Sequence, residues 1–451
     1  MADINIKKGH DIQISGKPKN ELSNASLGKK VAIKPSQFRG INPKLLVKEG
    51  ERVKLGTPLF YHKPNPNLTF PSIGCGTIEK IHMGPRRSFE QIDILLSGKE
   101  ESEVFKAYRL HEINTLTKEE VLKSLLKGCL FPFIRQRPFN KIPDPSAEPR
   151  DIFISGYNTG PLSVDIDLAL QRKQSQFQAG IIALGKLTTG RVHLTFSEKT
   201  VSDTMLESKH VIQHTISGPH PAGNVGVQIH HISPIGLKDT VWVVNAQDVV
   251  RIGTFFLTGE LDFSLIVSLG GPSVQDATHF KSRIGASINS IADGKVDENT
   301  KSRFISGDVL TGMTVTNEDY LNFYDSTISV IPESEQREFI GMLKPGSSST
   351  RYSLTRAFLG SKNKGYDFNT LKNGSERYMV PLNAWENVIP MDILPNPLYR
   401  AILVEDIEEM EQLGILECDD EDFALCSFAC PSKIDVGGAI RQGLDLMEKE
   451  V

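Results

Sequence analysis

Short alternating runs of apolar and polar residues dominate the first hundred residues. Val47 to Phe60 places a polar, glycine-containing turn between two short apolar runs, and Phe70 to Ile81 repeats this arrangement around Gly74 and Gly76. Runs of this length bounded by turns predict β-hairpins. We therefore expect residues 1–105 to form a small β-barrel or β-sandwich.

These hairpins resemble those of biotinyl/lipoyl-type barrels in the spacing of valine, glycine and proline. In carrier domains of that type, a lysine at an exposed hairpin tip is lipoylated or biotinylated, and Lys63 lies near the matching place. The following residues, Pro64 to Asn67, lack the usual acidic or methionine neighbour. An unmodified Lys63 is therefore favoured over a lipoyl carrier, which stays open as an alternative class.

The middle of the chain, residues 106–257, has the strand and helix alternation of a parallel α/β sheet. Asp151 to Ser155 predicts a buried strand, Gly156 to Pro161 a turn and Leu162 to Lys173 a helix. Further strands are predicted at Arg191 to Phe196, Val211 to Ile216 and Val241 to Val244. The turn has neither G-x-G-x-x-G nor a P-loop lysine, so it indicates nucleotide binding only weakly.

The remaining third of the chain predicts two further units. Leu261 to Ile291 suits a compact β-grasp unit, which we assign to residues 258–330. Residues 331–451 predict a helical domain, in which a polar surface excursion from Gly346 to Arg377 comes before the helices. Its candidate helices are Pro397 to Leu413, Asp419 to Phe428 and Ile434 to Lys449. Ten acidic and no basic residues lie between Glu405 and Asp422, which predicts a solvated face or a docking surface for a basic partner.

Charge is unevenly distributed along the chain. Residues 1–87 carry 16 Lys and Arg against 6 Asp and Glu, a balance of +10, which leaves −14 for the rest because the whole chain carries −4. This asymmetry predicts either a basic face toward an acidic partner or anionic leaflet, or a solvated lysine-rich surface. No aromatic residues interleave with the lysines, so a nucleic-acid partner is not expected. The five cysteines, the lack of a leader after Met1 and the interrupted apolar stretches predict a cytoplasmic protein without a membrane span.

The segment from Leu416 to Lys433 looks like an iron–sulfur binding segment with too few thiolates. A cluster is usually held by four cysteine sulfurs, and only Cys418, Cys426 and Cys430 lie close in sequence. Cys75 and Cys129 are about three hundred residues upstream. We therefore interpret the three cysteines as a degenerate cluster remnant and predict neither a cluster nor a metal here.

Five of the eleven histidines fall between His210 and His231. The residues around His210 and His214 favour a strand, in which the two side chains would lie about 13 Å apart on one face. His230 and His231 would point to opposite faces of a strand. No H-E-x-x-H spacing occurs, so hydrogen-bonded structural histidines are favoured over a metal site.

The segment from Leu130 to Lys141 alternates aromatic and basic residues. Its members are Phe131, Phe133, Arg135, Arg137, Phe139 and Lys141. A quinone head group suits this combination, because aromatic faces pack against the ring and cationic donors stabilise carbonyl oxygens that gain charge on reduction. Alternatively, the phenylalanines are core residues and the arginines pair with carboxylates of another domain.

Six segments in this order resemble the A subunit of the Na+-translocating NADH:quinone oxidoreductases. They are IKKGHDIQISG from Ile6, Val47 to Phe60, RPFNKIPDPSAEP from Arg137, GPHPAGNVGVQIHH from Gly218, VPLNAWENVIPMDILP from Val380 and ALCSFACPSK from Ala424. The chain is more distantly similar to the electron-transport-complex C subunit and to the complex I flavoprotein subunit. The resemblance implies a multidomain α/β protein: a barrel-sandwich domain, a Rossmann-like domain, a β-grasp domain of the soluble-ligand-binding type and a helical end.

The resemblance also implies a role. Family members of this kind are expected on the cytoplasmic face of the bacterial inner membrane, next to the membrane-embedded B subunit, without flavin or cluster of their own. NADH, flavins and the iron–sulfur centre are then expected on partner subunits, with ubiquinone as the substrate of the complex. On this basis the loops Ile33 to Pro43, with Phe38 and Arg39, and Ile134 to Lys141 become candidates for the quinone side.

The chain departs from the flavin-binding relatives at Gly128 to Phe133. Where those relatives have small residues over flavin and NADH, this chain has Cys129 and Leu130, whose side chains would block close approach of the backbone to a phosphate. This change argues against the alternative function, a catalytic NADH- and flavin-binding subunit of the complex I flavoprotein type.

Overall fold

The computed structural model describes residues 2–26, 28–297, 299–334, 352, 354 and 365–450. Most of the predicted polar excursion from Gly346 onward lies outside these residues, with Tyr352, Leu354 and residues 365–377 described. The described residues form three β-containing units and a helical end, in the order predicted. The multidomain α/β fold class is confirmed.

Two short strands precede the barrel and belong to other sheets. They are β1 (Asp3–Asn5) and β2 (Leu22–Asn24). The barrel itself follows, with β3 (Lys30–Ile33), β4 (Pro43–Leu45), β5 (Arg52–Val53), β6 (Pro58–His62), β7 (Asn65–Pro71), β8 (Gly76–Met83) and β9 (Phe89–Leu96). A four-stranded sheet in the order β3-β9-β8-β5 packs on a three-stranded sheet in the order β4-β6-β7.

The barrel closes around apolar side chains of both sheets. Phe60 and Phe70 stack with their centroids 4.5 Å apart, and both are fully buried. Lys63 lies exposed in the turn between β6 and β7. Lys63 is thus at the tip of a hairpin, that of β6 with β7. The hairpins predicted over Val47 to Phe60 and Phe70 to Ile81 are wrong, because β5 pairs with β8 rather than with β6, and β7 and β8 lie in different sheets.

The second unit is a six-stranded sheet flanked by helices. Its elements are α1 (Leu110–Ile113), α2 (Lys118–Lys127), β10 (Arg135–Arg137), β11 (Ile152–Gly156), α3 (Ile166–Ala169), α4 (Gln174–Gly185), β12 (Val192–Ser197), α5 (Asp203–Leu206), β13 (Ile212–Ser217), α6 (Val225–Ile232), β14 (Val241–Asn245) and α7 (Ala246–Thr258). The strand order is β1-β13-β12-β11-β14-β10, with only β10 antiparallel. The predicted parallel core is therefore present.

The helix predicted over Leu162 to Lys173 is wrong in its bounds. Only the short α3 lies in that range, and the long helix α4 begins at Gln174. Leu162 and Arg172 have φ angles of 62° and 60°, a left-handed conformation that an α-helix cannot contain. The apolar residues of this segment are buried by a turn and the short α3 rather than by one face of a long helix.

The third unit is an open six-stranded sheet. It contains β15 (Ser264–Gly270), β16 (Thr278–Arg283), α8 (Ile288–Ala292), β17 (Ser302–Ser306), β18 (Met313–Val315) and β19 (Thr327–Pro332). The order is β18-β17-β19-β15-β16-β2, so β2 from the N-terminal segment forms one edge. Residues 2–24 therefore add one strand each to the second and third sheets rather than to the barrel.

The helical end contains α9 (Pro395–Leu403), α10 (Ile407–Gln412), α11 (Asp420–Ala429) and α12 (Val436–Glu450). The single helix predicted from Pro397 to Leu413 is divided into α9 and α10, because the side chain of Asp406 accepts a hydrogen bond from Glu409 N (3.0 Å) and caps a new helix. These helices share one apolar core with Ile4, Ile6, Ile12 and Ile14.

Candidate functional site

The two loops predicted for the quinone side converge on the start of α11. Arg39, from the first loop, places Nη2 2.7 Å from Asp420 Oδ2 and Nη1 3.5 Å from Asp419 Oδ1. Arg137, from the second loop, places Nη1 2.9 Å from Asp419 Oδ2 and Nη2 2.5 Å from Glu421 Oε1. One carboxylate, that of Asp419, therefore joins two loops that lie about a hundred residues apart in sequence.

Further polar groups complete this charged cluster. Asn140 Nδ2 donates to Asp419 Oδ2 at 2.6 Å, and Arg441 of α12 pairs with Asp419 and Asp420. Arg441 Nη1 also donates to the carbonyl of Phe139 at 3.1 Å. We call Arg39, Arg137, Asn140, Asp419, Asp420, Glu421, Asp422 and Arg441 the charged cluster.

Burial and neighbouring charge act against each other in the charged cluster. Burial raises the pKa of Asp419 to about 6, although Arg137 and Arg441 oppose the rise. Burial also raises the pKa of Asp422, whereas Asp420, with Asp419 and Arg39 as neighbours, has a lowered pKa despite its burial. For Arg137, the carboxylates outweigh burial and raise the pKa, so its guanidinium stays charged. The cluster is a dense, enclosed ionic contact between domains.

Phe38 and Phe133 lie apart from the charged cluster, in a layer of aromatic rings. Each has its ring centroid 4.8 Å from that of Phe323 of the third unit. Both phenylalanines are buried, with 3% and 2% of their surface exposed. Arg135 lies next to them, with its guanidinium carbon 5.1 Å from the centroid of Tyr324. These two rings are therefore covered by other rings of the same chain.

The candidate residues with accessible surface are Arg39, Arg135, Phe139 and Lys141, each of which is partly exposed. Lys141 pairs with Glu448 of α12 and lies 5.6 Å from the centroid of Phe139. Phe139 has a φ angle of 76°, which is rare for a bulky residue and marks a locally strained backbone. Phe38, Phe133 and Arg137 are buried beneath this surface.

The acidic run from Glu405 to Asp422, which extends into α11, is not a uniformly solvated face. Asp419 and Asp422 have 0% and 1% of their surface exposed. Sequence reasoning missed them because a run of acidic residues usually lies in solvent. The sequence singles out Arg39 and Arg137, and the need of a buried arginine for a carboxylate partner is the signal that points to this run.

The three C-terminal cysteines pack as small apolar residues in the core of the helical end. The thiol of Cys418 donates to the Gly414 carbonyl (3.5 Å), and that of Cys426 donates to the Trp385 carbonyl (3.8 Å). Burial raises the pKa of both thiols, which opposes the thiolate form that binds iron. Among the described residues, no three His, Cys, Asp or Glu side chains could hold a metal ion together. This donor set does not fit an iron–sulfur cluster.

The loop at Gly128 to Phe133 is filled by its own side chains. Cys129 Sγ lies 3.1 Å from Thr69 Oγ1, and burial raises the pKa of this thiol to about 11. Leu130 and Phe131 are fully buried, and Phe131 meets Trp242 edge to face at 5.7 Å. The loop thus presents packed apolar groups where an open backbone would be needed for a phosphate.

The positions of three histidines differ from the predictions. His230 and His231 lie in helix α6 rather than in a strand. His210 precedes β13 in a left-handed conformation and is exposed, whereas His214 lies within β13 and is buried. His214 Nε2 and His193 Nδ1 are 2.9 Å apart.

A polar cavity of ≈ 220 Å³ opens at the carboxyl ends of β11 and β14, the usual ligand crevice of such sheets. The weak nucleotide turn contributes Tyr157, Asn158 and Gly160 to its wall. Its other walls carry carboxylates of Asp248, Asp308, Asp325 and Glu421. These four acidic residues outnumber the one arginine of the wall, Arg135, so the balance of charge disfavours a phosphate group.

Comparison with known proteins gives matches along most of the chain. Three family models match: NqrA N-terminal barrel-sandwich hybrid domain over residues 4–97, NqrA second alpha/beta domain over residues 116–261 and NQRA C-terminal domain over residues 266–317. The chain is similar to the A subunit of the Na(+)-translocating NADH-quinone reductase of Haemophilus influenzae (strain PittGG) and to that of Neisseria meningitidis serogroup B. Each is 38% identical over 451 residues, which cover 99% of this chain and 100% of the relative. The protein of that name from Rhodopirellula baltica is 38% identical over 449 residues, or 99% of this chain and 98% of the relative.

The fold and these matches define a component of a sodium-translocating respiratory complex, an NADH:quinone oxidoreductase. The chain belongs to the NqrA family, the A subunits of the Na(+)-translocating NADH-quinone reductases. Among the described residues, no helix combines the length and the apolar character needed to cross a bilayer.

Proposed function

We propose that this protein has no redox centre of its own and supports quinone binding and assembly on the cytoplasmic face of the membrane, next to the membrane-embedded B subunit. NADH oxidation, electron transfer and Na+ movement are then carried by partner subunits with their flavins and iron–sulfur centre. One observation carries the quinone part of the proposal. The shared carboxylate of Asp419 brings the Arg39 loop and the Arg137 loop together.

The surface around this junction has groups suited to a quinone. Phe139 offers an aromatic face, and Lys141 and Arg39 offer cationic donors to carbonyl oxygens that gain negative charge. Among the candidate residues, the buried Phe38, Phe133 and Arg137 hold the two loops in place and do not contact the ligand themselves. The strained backbone at Phe139 is consistent with a residue held for binding.

The direct test is a photoreactive ubiquinone analogue in the assembled complex, with the labelled residues mapped by mass spectrometry. We expect label within residues 33–43 and 134–141. Label that maps only to other subunits would overturn the quinone assignment.

Phe139→Ala and Lys141→Ala should each weaken binding of the analogue by roughly tenfold, the effect of losing an aromatic face or a charged donor. Phe89→Ala is the matched control, because Phe89 is a partly buried barrel aromatic that contacts Phe60 and lies outside both loops. Unchanged affinity in both test variants would contradict the proposal.

The absence of a redox centre is tested separately on the purified chain. The filled Gly128 loop and the buried, protonated thiols support this part of the proposal. The absorbance spectrum should show the protein band alone. A flavin or iron–sulfur band that copurifies in stoichiometric amount would overturn it.

A further inference from the structure

A second feature, far from the charged cluster, is a continuous groove along one edge of the third sheet. Two cavities of ≈ 500 and ≈ 710 Å³ share Asp262, Ser264 and Lys281 in their walls. We call the combined feature the basic groove. Each part alone is as large as an ordinary small-molecule pocket, so the whole groove suits an extended occupant.

The basic groove is strongly positive although the whole chain has a net charge of −4. Its walls carry the acidic residues Glu100 and Asp262. Its cationic residues are Lys29, Lys30, Lys99, Arg172, Lys173, Arg251, Lys281 and Arg283. Three of these pair with carboxylates: Lys30 with Glu79, Arg251 with Asp248 and Arg283 with Glu100.

The other five cations are open to a partner. In the part of the chain that the structure describes, Lys29, Lys99, Arg172, Lys173 and Lys281 have no carboxylate within 4.0 Å. The carboxylate of Asp262 is engaged by the backbone N–H of Ser264 at 2.8 Å. An anionic occupant would therefore meet several unpaired charges along its length.

Among the described residues, the groove also contains an open sheet edge. Strand β2 pairs with β16 on one side, and its residues Leu22, Ser23 and Asn24 are all exposed. Ala25 N donates to Lys281 O at 3.1 Å and Glu21 O accepts from His279 N at 3.2 Å, so the backbone groups of alternate residues face β16. The backbone N–H and C=O groups of Leu22 and Asn24 consequently face away from the sheet, where a further strand can pair with them.

We propose that the basic groove binds an acidic, extended peptide segment of a partner protein, which adds as a strand to β2. Main-chain hydrogen bonds to Leu22 and Asn24 supply affinity, and carboxylates facing Lys281, Lys173 and Lys99 supply selectivity. No residue of the groove belongs to the loops at 33–43 or 134–141. The inference is therefore independent of the quinone assignment.

The charge requirement is tested with a fluorescein-labelled peptide of alternating Glu and Val residues and the full chain, by fluorescence anisotropy. Saturable binding should weaken about tenfold in Lys281→Glu and should fall with added salt. Lys199→Glu is the matched control, because Lys199 is an exposed lysine outside the groove and the change in net charge is the same. Equal binding of an alternating Lys and Val peptide would overturn the proposal.

The backbone requirement is tested with Asn24→Pro, which removes the outward N–H and leaves the charge unchanged. Binding should weaken about tenfold, whereas Asn24→Thr, which keeps the N–H, should bind like the wild type. Circular dichroism and the thermal midpoint establish that each variant is folded. Wild-type binding by folded Asn24→Pro, or full competition by an oligonucleotide of matched charge, would overturn strand addition.

In the assembled complex, a photocrosslinking residue at position 22 identifies the occupant directly. A crosslink to an acidic segment of another protein of the complex supports the proposal. A crosslink only within this chain, or only to a second copy of it, overturns it.

Discussion

At the scale of single residues, the charged cluster shows how burial changes the role of a charge. Arg137 and Asp419 are almost completely enclosed, whereas the side chain of Arg39 has 36% of its surface exposed. An exposed ion pair contributes little because water screens it, while a buried charge that loses its partner is strongly destabilising. The two arginines of one network should therefore differ greatly in their effect on stability.

Arg137→Ala should lower the free energy of unfolding by about 3–5 kcal/mol, because the buried carboxylate of Asp419 loses a partner. Arg39→Ala should cost no more than about 1 kcal/mol. Urea unfolding followed by circular dichroism measures both changes. A similar, small loss in both variants would show that the carboxylates find other partners.

The histidine pair forms a directional chain. The backbone N–H of Ala2 donates to His214 Nδ1 (3.1 Å), so His214 Nε2–H donates to His193 Nδ1 (2.9 Å). His193 Nε2 then lies 3.7 Å from Asp151 Oδ1. Burial and the neighbouring His193 lower the pKa of His214 to about 4. Both imidazoles are neutral in this arrangement.

Stability should therefore fall as the pH is lowered. In the unfolded chain the pKa of a histidine is near 6.5, so below that pH the unfolded chain binds the proton more readily than the folded chain. The contribution of His214 to the free energy of unfolding is therefore complete above pH 6.5 and is lost as the pH falls toward 4. Between pH 7.5 and pH 5 we expect a loss of about 2 kcal/mol from this group. The loss should be smaller in His214→Gln. An identical pH dependence in both proteins, measured by urea midpoints, would contradict the assignment.

At the scale of elements, glycines set the distance between α4 and α7. A Cβ at Gly253 of α7 would lie 1.7 Å from the Gln176 carbonyl oxygen, and one at Gly180 of α4 would lie 2.1 Å from that of Val249. The two backbones are in contact, so no side chain fits between them. Gly185, at the end of α4, has Val192 Cγ2 as its nearest neighbour at 3.7 Å.

Gly253→Ala should destabilise the chain by more than about 2 kcal/mol, because the helices must separate. Gly185→Ala should be neutral or stabilising by up to about 1 kcal/mol, since alanine favours the helix and its Cβ makes only an ordinary van der Waals contact with Val192. Thermal unfolding of the two variants compares these effects. A tolerated Gly253→Ala would mean that α7 can shift away from α4.

Some of these elements could be predicted from the sequence, and others could not. The strands at Ile152, Val192, Ile212 and Val241 were predictable because each is a short apolar run bounded by turns. The helix bounds near Leu162 were not, because left-handed residues interrupt an otherwise helical pattern. The aromatic and basic residues of the candidate site were visible, yet their burial depends on partners such as Asp419 and Phe323 that lie far away in sequence.

At the scale of the whole molecule, the N-terminal segment ties the units together. Strand β1 pairs with β13 of the second sheet, and β2 pairs with β16 of the third. Between these strands, Ile12 and Ile14 are buried in the core of the helical end. About twenty residues therefore connect three of the four units.

Ile14→Ala should lower the free energy of unfolding by about 2–5 kcal/mol, since Ile14 has 2% of its surface exposed. Hydrogen exchange should quicken first in α9 to α12, which share its core, and last in the barrel. Leu22→Ala, at an exposed position of the same segment, is the control and should have little effect. Uniform exchange changes throughout the chain would indicate a single cooperative unit.

The placement of β1 has a consequence for biosynthesis. Asp3 pairs with Thr215, so during synthesis β1 waits for a neighbour made about 210 residues later. At roughly 5–20 residues per second this wait lasts on the order of ten to forty seconds. During translation Ile4, the buried residue of β1, thus has no partner strand, and a bulky group placed beside β1 would delay the last pairing of the second sheet rather than the first.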